Sequence, residues 1–394
     1  MEGASAVLAA VDMLTQLKHE QYMESIANGS IIEDSPKPIS SWKIGVGTSS
    51  YHGPPSTSPG GITPLTAFKH GQIMYPVPPC NLEGEGVDTY LTQFSQWMET
   101  NGESLACLLV EPQWGSSRCG LPWNKNILNS VVDIAHGHGV LVLADEIMCG
   151  LGRHGQGTLF LSEAWGLDVD AVTFGKAIAA GAYPMSGAIL RRGAAQLGAT
   201  GRTVMQSHTY SGGNVRALLT ATAVLKLLPS LYSDVESKGR QIEEFMRLLG
   251  QKSGGMFQIH GMGLLWGALL SPAVYNGLSN VPPIKEFMPE FKKQCHRQGV
   301  LPYFVPVGGF LVTPLFDVDT DTIAAIGTKL IAAYEQTMAQ LSCVDLCEVV
   351  DLPDCPESVS PSTVPLAVPI AVAITGRTAD SVGEASVTAT VTVY

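Results

Sequence analysis

The sequence predicts an α/β protein in which a large domain with a mostly parallel sheet, covered by helices, precedes a smaller α+β domain. Two observations support this fold class. Between about residues 40 and 200, short apolar segments of strand length alternate with segments of helical periodicity, as in parallel sheets that are buried on both faces. After residue 255, strand and helix patterns mix over a shorter stretch. We place the large domain at 1–213 and a linking helix with the small domain at 214–341.

The first predicted element is a helix over residues 4–23, where Val7, Val11, Leu14 and Leu17 recur every three to four residues. Residues 29–86 are rich in proline, glycine and serine, which indicates loops with one short strand at 43–46. A helix is predicted over 123–137. Fully apolar runs predict buried strands at 105–110 and 140–144, and 171–174 and 186–190 are further candidates for buried strands.

The second half of the chain predicts helices, strands and then a tail. One or two helices are expected over 214–250, followed by an apolar stretch at 256–270. The remaining expected elements are a helix at 284–298, a strand at 310–313 and a helix at 320–341. Residues 342–394 are acidic and rich in serine, threonine, valine and proline, so we predict a disordered or low-order tail there.

The composition suits a large folded protein and argues against several classes of partner. The 394 residues are 45% hydrophobic and only 15% charged, unlike a disordered chain. A net charge of −12 disfavours general binding to nucleic acids or anionic membranes. No uninterrupted apolar run reaches the roughly 18 residues that a membrane helix needs. We therefore predict no nucleic-acid partner and no membrane partner.

The cysteines and the N-terminus bear on the cellular compartment. None of the eight cysteines forms a CxxC pair, so we predict reduced thiols and no metal site. Residues 1–5 lack the basic region of a secretory signal. The default expectation is a cytoplasmic protein, with a removed targeting segment left open.

Charged side chains follow three neighbouring predicted strands. Glu111, Asp145 and Lys176 each stand at or just after the end of an apolar run. The carboxyl ends of parallel strands meet at one edge of a sheet, where open α/β sheets bind ligands. A lysine after a strand is, taken alone, more often a surface residue. At this edge, burial lowers the pKa of a lysine and makes it a nucleophile, while a buried aspartate needs a cationic partner such as a pyridinium nitrogen.

This constellation resembles the class III, or ω-, aminotransferases, which are pyridoxal 5′-phosphate (PLP) enzymes of fold type I. Asp145-Glu146-Ile147, Gly152-Arg153 and Gly175-Lys176 occur in the order and spacing of that family. The resemblance covers roughly residues 1–341 and implies a mostly parallel mixed sheet in the large domain. Further segments that resemble the family lie at 3–7, 51–53, 207–212, 259–267, 299–301 and 313–315.

The resemblance implies a role for each residue around the cofactor ring. Lys176 would form a Schiff base with PLP and then move the substrate proton. Asp145 would keep the ring nitrogen protonated, so that the ring acts as an electron sink. Ile147 would pack under one face of the ring and Tyr51 would stack over the other. Glu111 would lie near Asp145 or the substrate entrance, or would be a structural acid.

The resemblance also implies how the phosphate is held. The backbone amides of Gly3 and Ala4 would bind it at a helix N-terminus. Thr209 would reach the phosphate of the neighbouring subunit, which implies a homodimer. His52 would belong to the cofactor site, either as a member of a polar network or as a proton carrier.

The sequence departs from the family pattern at several places. About a hundred residues that usually precede the helix starting at Gly3 are expected to be lacking, and in the family they supply part of the dimer interface and of the substrate pocket. Ala4 replaces a hydroxyl residue that contacts phosphate. No arginine occurs in residues 310–313, where the family holds a substrate carboxylate. We expect Arg153 to pair with a loop carboxylate.

The predicted function is therefore a PLP-dependent aminotransferase, moving an amino group from a primary amine or amino acid to a keto or aldehyde acceptor. A first alternative is an aminomutase on the same fold, which would need no separate acceptor. A second alternative is a truncated, non-catalytic fragment that acts only through dimerisation. The sequence does not identify the donor, the acceptor or the pathway.

Overall fold

The structure of the protein is a computed structural model that describes residues 3–32, 35–53, 71–79, 82–191, 214–271, 284–306 and 308–344. The helices are α1 (Gly3–Ala27), α2 (Glu85–Asn101), α3 (Lys125–Gly137), α4 (Leu161–Trp165), α5 (Val215–Lys252), α6 (Ile284–Arg297) and α7 (Thr320–Val344). The strands are β1 (Lys43–Gly47), β2 (Gly71–Tyr75), β3 (Leu105–Val110), β4 (Leu141–Asp145), β5 (Ala171–Phe174), β6 (Gly187–Leu190), β7 (Phe257–Met262), β8 (Leu265–Leu270), β9 (Tyr303–Val305) and β10 (Gly309–Val312). Short 3₁₀ turns occur at Ile39–Ser41, Gly102–Ser104 and Lys176–Ala179.

Six strands form the larger sheet, in the order β2-β1-β3-β4-β5-β6. The pairs from β2 to β5 are parallel, and β6 pairs antiparallel with β5. Helix α1 covers one face of this sheet, while α2 and α3 cover the other. The successive residues Leu108 and Leu109 therefore enter separate hydrophobic clusters on opposite faces. The predicted fold class is confirmed.

Several details of the larger sheet differ from the expectation. Strand β2 and helices α2 and α4 are not predicted, and neither is strand β9, which does not belong to this sheet. β2 is a partly exposed edge strand, and such strands have no continuous apolar run. Helix α2 does carry a readable signal, because its buried residues Tyr90, Phe94 and Met98 recur every four positions. The apolar runs suggest parallel pairing, yet β6 is antiparallel because its connection from β5 contains a 3₁₀ turn instead of a crossover helix.

The second sheet has four antiparallel strands in the order β7-β8-β10-β9. Helices α5, α6 and α7 pack against it. Aromatic rings dominate the core between them. The ring of Phe291 lies 5.4–6.0 Å from those of Phe257, Phe287, Phe304 and Phe310. This part of the chain has the expected α+β organisation.

Helix α5 connects the two sheets. It is continuous over 38 residues, with Pro229 inside it, so one helix occupies the stretch for which one or two are predicted. The side chain of Asn214 caps its N-terminus by accepting hydrogen bonds from the amides of Arg216 and Ala217. The large apolar residues on its N-terminal half include the exposed Leu218, Leu219, Leu225 and Leu227.

Helix α5 is also the one described helix that is long and apolar enough to cross a membrane. That statement rests on length and composition alone, and 17% of the relevant window is buried. It is weak evidence for a membrane segment, because an apolar helix face that binds another protein surface has the same composition.

Helix α7 ends at Val344, inside the stretch 342–394 for which a low-order tail is predicted. The rest of that stretch lies outside the described residues. The prediction for the tail therefore stays a prediction.

Candidate active site

The carboxyl ends of β3, β4 and β5 meet at one edge of the larger sheet, beside a cavity of about 330 Å³. This volume lies within the range of small-molecule sites, which is roughly 300–1,000 Å³. A larger cavity of about 480 Å³ lies between Trp123 and the β7–β8 hairpin, but it contains neither Lys176 nor Asp145. Size alone therefore does not identify the site. The predicted residues that line the smaller cavity are Gly3, Ala4, Tyr51, His52, Glu111, Asp145, Ile147 and Lys176. Thr209 lies outside the described residues.

Lys176 is separated from the end of β5 by Gly175 alone and opens the 3₁₀ turn. Its backbone φ of 45° falls in the left-handed region. Residues other than glycine adopt this conformation mainly where the surrounding structure holds them in it. The side chain of Lys176 is exposed to the open cavity, while protein packed around the amine partly desolvates it. This burial lowers the pKa of Lys176, although the charges of Asp145 and Glu111 act in the opposite direction.

Asp145 ends β4 and is 6% exposed. One carboxylate oxygen, Oδ2, accepts a hydrogen bond of 2.8 Å from His52 Nδ1. The other, Oδ1, accepts bonds of 3.2 Å from the hydroxyl of Thr173 and from the backbone amide of Ile147. The carboxylate is thus fixed in orientation by three donors from three segments of the chain.

His52 is buried behind Asp145. Burial alone would lower the pKa of the imidazole, but the hydrogen bond and charge of Asp145, together with the charge of Glu111, raise it overall. Its Nε2 has no hydrogen-bond partner among the described residues. Of the two roles left open for His52, the polar network is the one that the structure displays.

Glu111 is buried at the end of β3, and its contacts are with loops that wall the cavity. Its carboxylate accepts hydrogen bonds from the backbone amides of Tyr51 at 2.9 Å and Gly115 at 3.2 Å. A third bond, of 3.2 Å, comes from the hydroxyl of Ser117. Burial raises the pKa of Glu111, and the charge of His52 opposes that effect. Glu111 therefore joins the loop of Tyr51 to the loop that follows β3.

The N-terminus of α1 reaches the cavity through Gly3 and Ala4. The first amides of a helix have no partners within the helix, and the helix dipole favours an anion near them. No acidic residue lies in the first turn of α1. Gly3 also permits a close approach, since a Cβ at that position would lie 2.6 Å from Ile147 Cδ1. This helix end is suited to bind a phosphate.

Tyr51 is 44% exposed and lies at the cavity wall, as does Ile147. The predicted stacking of these two side chains on opposite faces of a ring stays a prediction. Two further lining residues, Tyr183 and Met185, are not identified above. No local pattern marks them as site residues, because only the folded turn after β5 brings them to the cavity.

The expectation for Arg153 is wrong. Within the described part of the chain, its guanidinium has no carboxylate partner. Its Nη1 donates to the carbonyls of Leu264 at 3.2 Å and Pro314 at 2.9 Å, and the group lies 4.6 Å from the ring centroid of Phe316. Burial lowers the pKa of Arg153 to about 10. The loop after β4 folds against the second sheet, and this long-range contact supplies backbone acceptors where sequence spacing suggests a carboxylate.

The groups around this cavity fit PLP. The N-terminus of α1 suits its phosphate, the amine of Lys176 suits its aldehyde, and the carboxylate of Asp145 suits its pyridinium nitrogen. The set contains a separate protein group for each reactive or charged part of that cofactor.

Comparison with known proteins leads to the same family. The family model described as "Aminotransferase class-III" matches residues 3–333. An acetylornithine aminotransferase of Neisseria meningitidis is 31% identical over 182 residues, which are 45% of this chain and 43% of that protein. A glutamate-1-semialdehyde 2,1-aminomutase of Sulfurihydrogenibium azorense is 31% identical over 164 residues, which are 41% of this chain and 37% of that protein. The chain thus spans less than half the length of these two relatives.

The fold has solved counterparts. The (S)-enantioselective ω-transaminase of Thermomicrobium roseum superposes with a TM-score of 0.70 at 20% sequence identity. The match covers 85% of this chain and 73% of that protein. At this identity the likeness establishes the fold alone.

Proposed function

The chain belongs to the class III aminotransferase family, and we propose that it transfers an amino group from a primary amine or amino acid to a keto or aldehyde acceptor, with PLP as cofactor. One observation carries this proposal. Lys176, Asp145 and the N-terminus of α1 line the same cavity, although they are far apart in the sequence. Each group has the chemistry that one part of the cofactor requires.

The residues nearest the reacting atoms have distinct tasks. When bound, PLP supplies an electron-withdrawing ring that stabilises negative charge on the substrate carbon. Lys176 has a lowered pKa, so more of its amine is unprotonated and able to bind the aldehyde or to accept a proton beside the substrate carbon. Asp145 would keep the ring nitrogen protonated, and its bond from His52 holds the carboxylate in place.

The remaining residues orient the cofactor. The amides of Gly3 and Ala4 would hold the phosphate at the end of α1. Tyr51 and Ile147 would pack against the cofactor ring. Glu111 fixes the backbone of Tyr51 by a bond of 2.9 Å, and so acts on the ring through another residue.

The test is an absorbance spectrum of the purified protein with PLP, followed by borohydride reduction and peptide mass spectrometry. We expect a new visible band and, after reduction, a cofactor attached to the peptide that contains Lys176. Lys176→Ala should lose the covalent attachment and all turnover, whereas Lys125→Ala, at an exposed position on α3, should keep both. A folded protein that forms no band, or attachment at another lysine, would refute the proposal and favour the non-catalytic alternative.

The aminomutase alternative is kept because one relative is such an enzyme. It needs the same lysine and aspartate, so the site does not separate the two reactions. Turnover with a single substrate and no added keto or aldehyde acceptor would support the aminomutase. A strict requirement for the acceptor would support the aminotransferase.

We infer that the protein is a homodimer, with Thr209 reaching the cofactor of the neighbouring subunit. The exposed leucines on the N-terminal half of α5 support this inference, since a row of exposed apolar side chains is typical of a protein–protein interface. Light scattering should give twice the 41.7 kDa of one chain. Leu219→Glu should give the monomer mass, while Leu248→Glu, at an exposed leucine on the C-terminal half, should leave the dimer intact. A monomer in the unmodified protein would refute the inference.

We also infer a reducing compartment such as the cytoplasm. The described cysteines Cys107, Cys119, Cys149 and Cys295 are all buried and free. Unpaired buried thiols are typical of proteins kept in reducing surroundings. Fractionation of the native cells would test this inference.

A further inference from the structure

Glu146 follows Asp145 in the sequence but does not line the cavity. Its side chain is 1% exposed and points to the N-terminal turn of α4. There, Oε2 accepts a hydrogen bond of 2.6 Å from the amide of Leu161. Oε1 accepts bonds of 2.8 Å and 2.6 Å from the amide and hydroxyl of Ser162. The carboxylate thus caps a helix that begins 15 residues later and has no side-chain cap of its own.

The backbone of Glu146 is fixed as well. Its amide donates to the carbonyl of Thr173 on β5 at 3.0 Å, and its carbonyl accepts from the amide of Gly150 at 2.9 Å. The turn of residues 145–150 is therefore closed by one main-chain bond within it, held to β5 by another, and held to α4 by the Glu146 side chain. This turn also presents Asp145, Ile147 and Met148 to the cavity.

A short chain of contacts leads from Glu146 to the cavity. The next residue, Ile147, donates its backbone amide to Asp145 Oδ1 at 3.2 Å. A displacement of the Glu146 backbone would shift that amide, and the orientation of the Asp145 carboxylate would shift with it. The side chain of Ile147 would move too, and it packs against Gly3 at the N-terminus of α1.

The contacts of Glu146 favour a carboxylate. Burial raises the pKa of Glu146 to about 7, and the hydrogen bonds from Ser162 and Leu161 oppose that rise. Each of its two oxygens accepts a hydrogen bond from a backbone amide, of Leu161 or of Ser162. A glutamine has the same shape, but its NH₂ group would have to face one of these amides. Two donors would then oppose each other in a buried position, which is unfavourable. A buried carboxylate is in itself costly, so its presence here needs a reason.

We propose that Glu146 is a positioning residue for the cofactor, which it does not touch: its carboxylate anchors the 145–150 turn to α4 and so fixes Asp145 and Ile147 at the cavity. This proposal rests on PLP binding at the site proposed above. It assigns to the second acid of the Asp145-Glu146 pair a task different from that of the first.

The test measures the dissociation constant of PLP for the apo-protein by absorbance titration. Glu146→Gln should raise the constant about tenfold, equivalent to about 1.4 kcal/mol. Ser162→Ala removes one of the donors and should raise it about threefold. The matched control is Glu163→Gln, which changes an exposed carboxylate on the same helix and should leave the constant unaltered. Thermal melting of each apo-protein verifies that folded protein is titrated, and Ser162→Ala decides the question if Glu146→Gln does not fold.

A second measurement separates positioning from a general structural role. The titration is repeated with 1-deaza-PLP, in which a carbon replaces the ring nitrogen that faces Asp145. If Glu146 acts through Asp145, Glu146→Gln should weaken the binding of this analogue less than that of PLP. Equal weakening for both cofactors, or an unchanged constant in both variants, would overturn the proposal. Failure of the unmodified protein to bind PLP would instead refute the proposed function.

Discussion

Replacement of Asp145 by asparagine removes one negative charge from the cavity and keeps the shape of the side chain. The carboxylate is 6% exposed and lies 2.8 Å from His52 Nδ1. A neutral amide can still accept bonds from Thr173 and from the amide of Ile147. The change therefore tests the charge of Asp145 and leaves most of its packing unaltered.

The size of the effect follows from the charge that is lost. A hydrogen bond between charged groups contributes about 1.5–3 kcal/mol, so the affinity for PLP should fall roughly 10- to 150-fold. Turnover should fall further, because an unprotonated ring withdraws electrons poorly. His52 loses the negative charge that offsets its burial, so the pKa of this histidine should fall below its usual value near 6.5.

The assay combines a PLP titration, steady-state turnover and an NMR titration of His52. Asp133→Asn is the matched control, since Asp133 is exposed on α3 and does not line the cavity. It should alter none of the three measurements. The reasoning would be refuted if Asp145→Asn bound PLP as tightly as the unmodified protein and kept full turnover.

Three further predictions concern stability. In the apo-protein, the raised pKa of His52 means that the folded chain keeps a proton that the unfolded chain loses above pH 6.5. The free energy of unfolding should therefore decrease as pH rises above 6.5, by up to about 1.4 kcal/mol per pH unit, and His52→Gln should show a shallower decrease in urea melts. Phe291→Ala should lower the free energy of unfolding by about 3–5 kcal/mol, because the ring is fully buried among aromatic neighbours. Glu286→Ala, at an exposed position on the same helix, is the control. A decrease below about 1 kcal/mol for Phe291→Ala would contradict this packing. Deletion of residues 345–394 should leave the melting temperature nearly unchanged, since all five described hydrophobic clusters lie before residue 345. Loss of folded protein would show that the tail is needed.

Local patterns in the sequence predict most of the fold. The run at 105–110 and the run at 171–174 become β3 and β5 at those same residues. A strand covered on both faces consists mostly of apolar side chains, so its position can be predicted without any knowledge of its neighbours. Strand β2 shows the opposite case, because an edge strand is only partly covered and its composition is less constrained.

Part of the candidate site is also readable. Glu111, Asp145 and Lys176 end successive strands, and topology places the ends of parallel strands together. The sequence thereby predicts which acid and which amine share the cavity. It also predicts that the N-terminus of α1 joins them, by resemblance to a family whose fold is shared.

Long-range hydrogen bonds could not be predicted in this way. The partners of Arg153 come from residues more than a hundred positions away, and its guanidinium binds carbonyls instead of a carboxylate. Glu146 binds a helix end for which sequence spacing gives no signal. The bond between His52 and Asp145 joins a loop to a strand end 93 residues later.

The sequence by itself determined the fold class, the strands buried on both faces and the acid and lysine at the sheet edge, because each depends on local composition and on strand direction. The tertiary structure alone decided how these groups are oriented and charged. Side-chain orientation depends on donors and acceptors brought together by folding, and a pKa depends on burial and on neighbouring charges in three dimensions. The sequence shows that Asp145, Glu146 and Lys176 stand at the sheet edge, whereas their orientation and the pKa values of Glu146 and Lys176 depend on the fold.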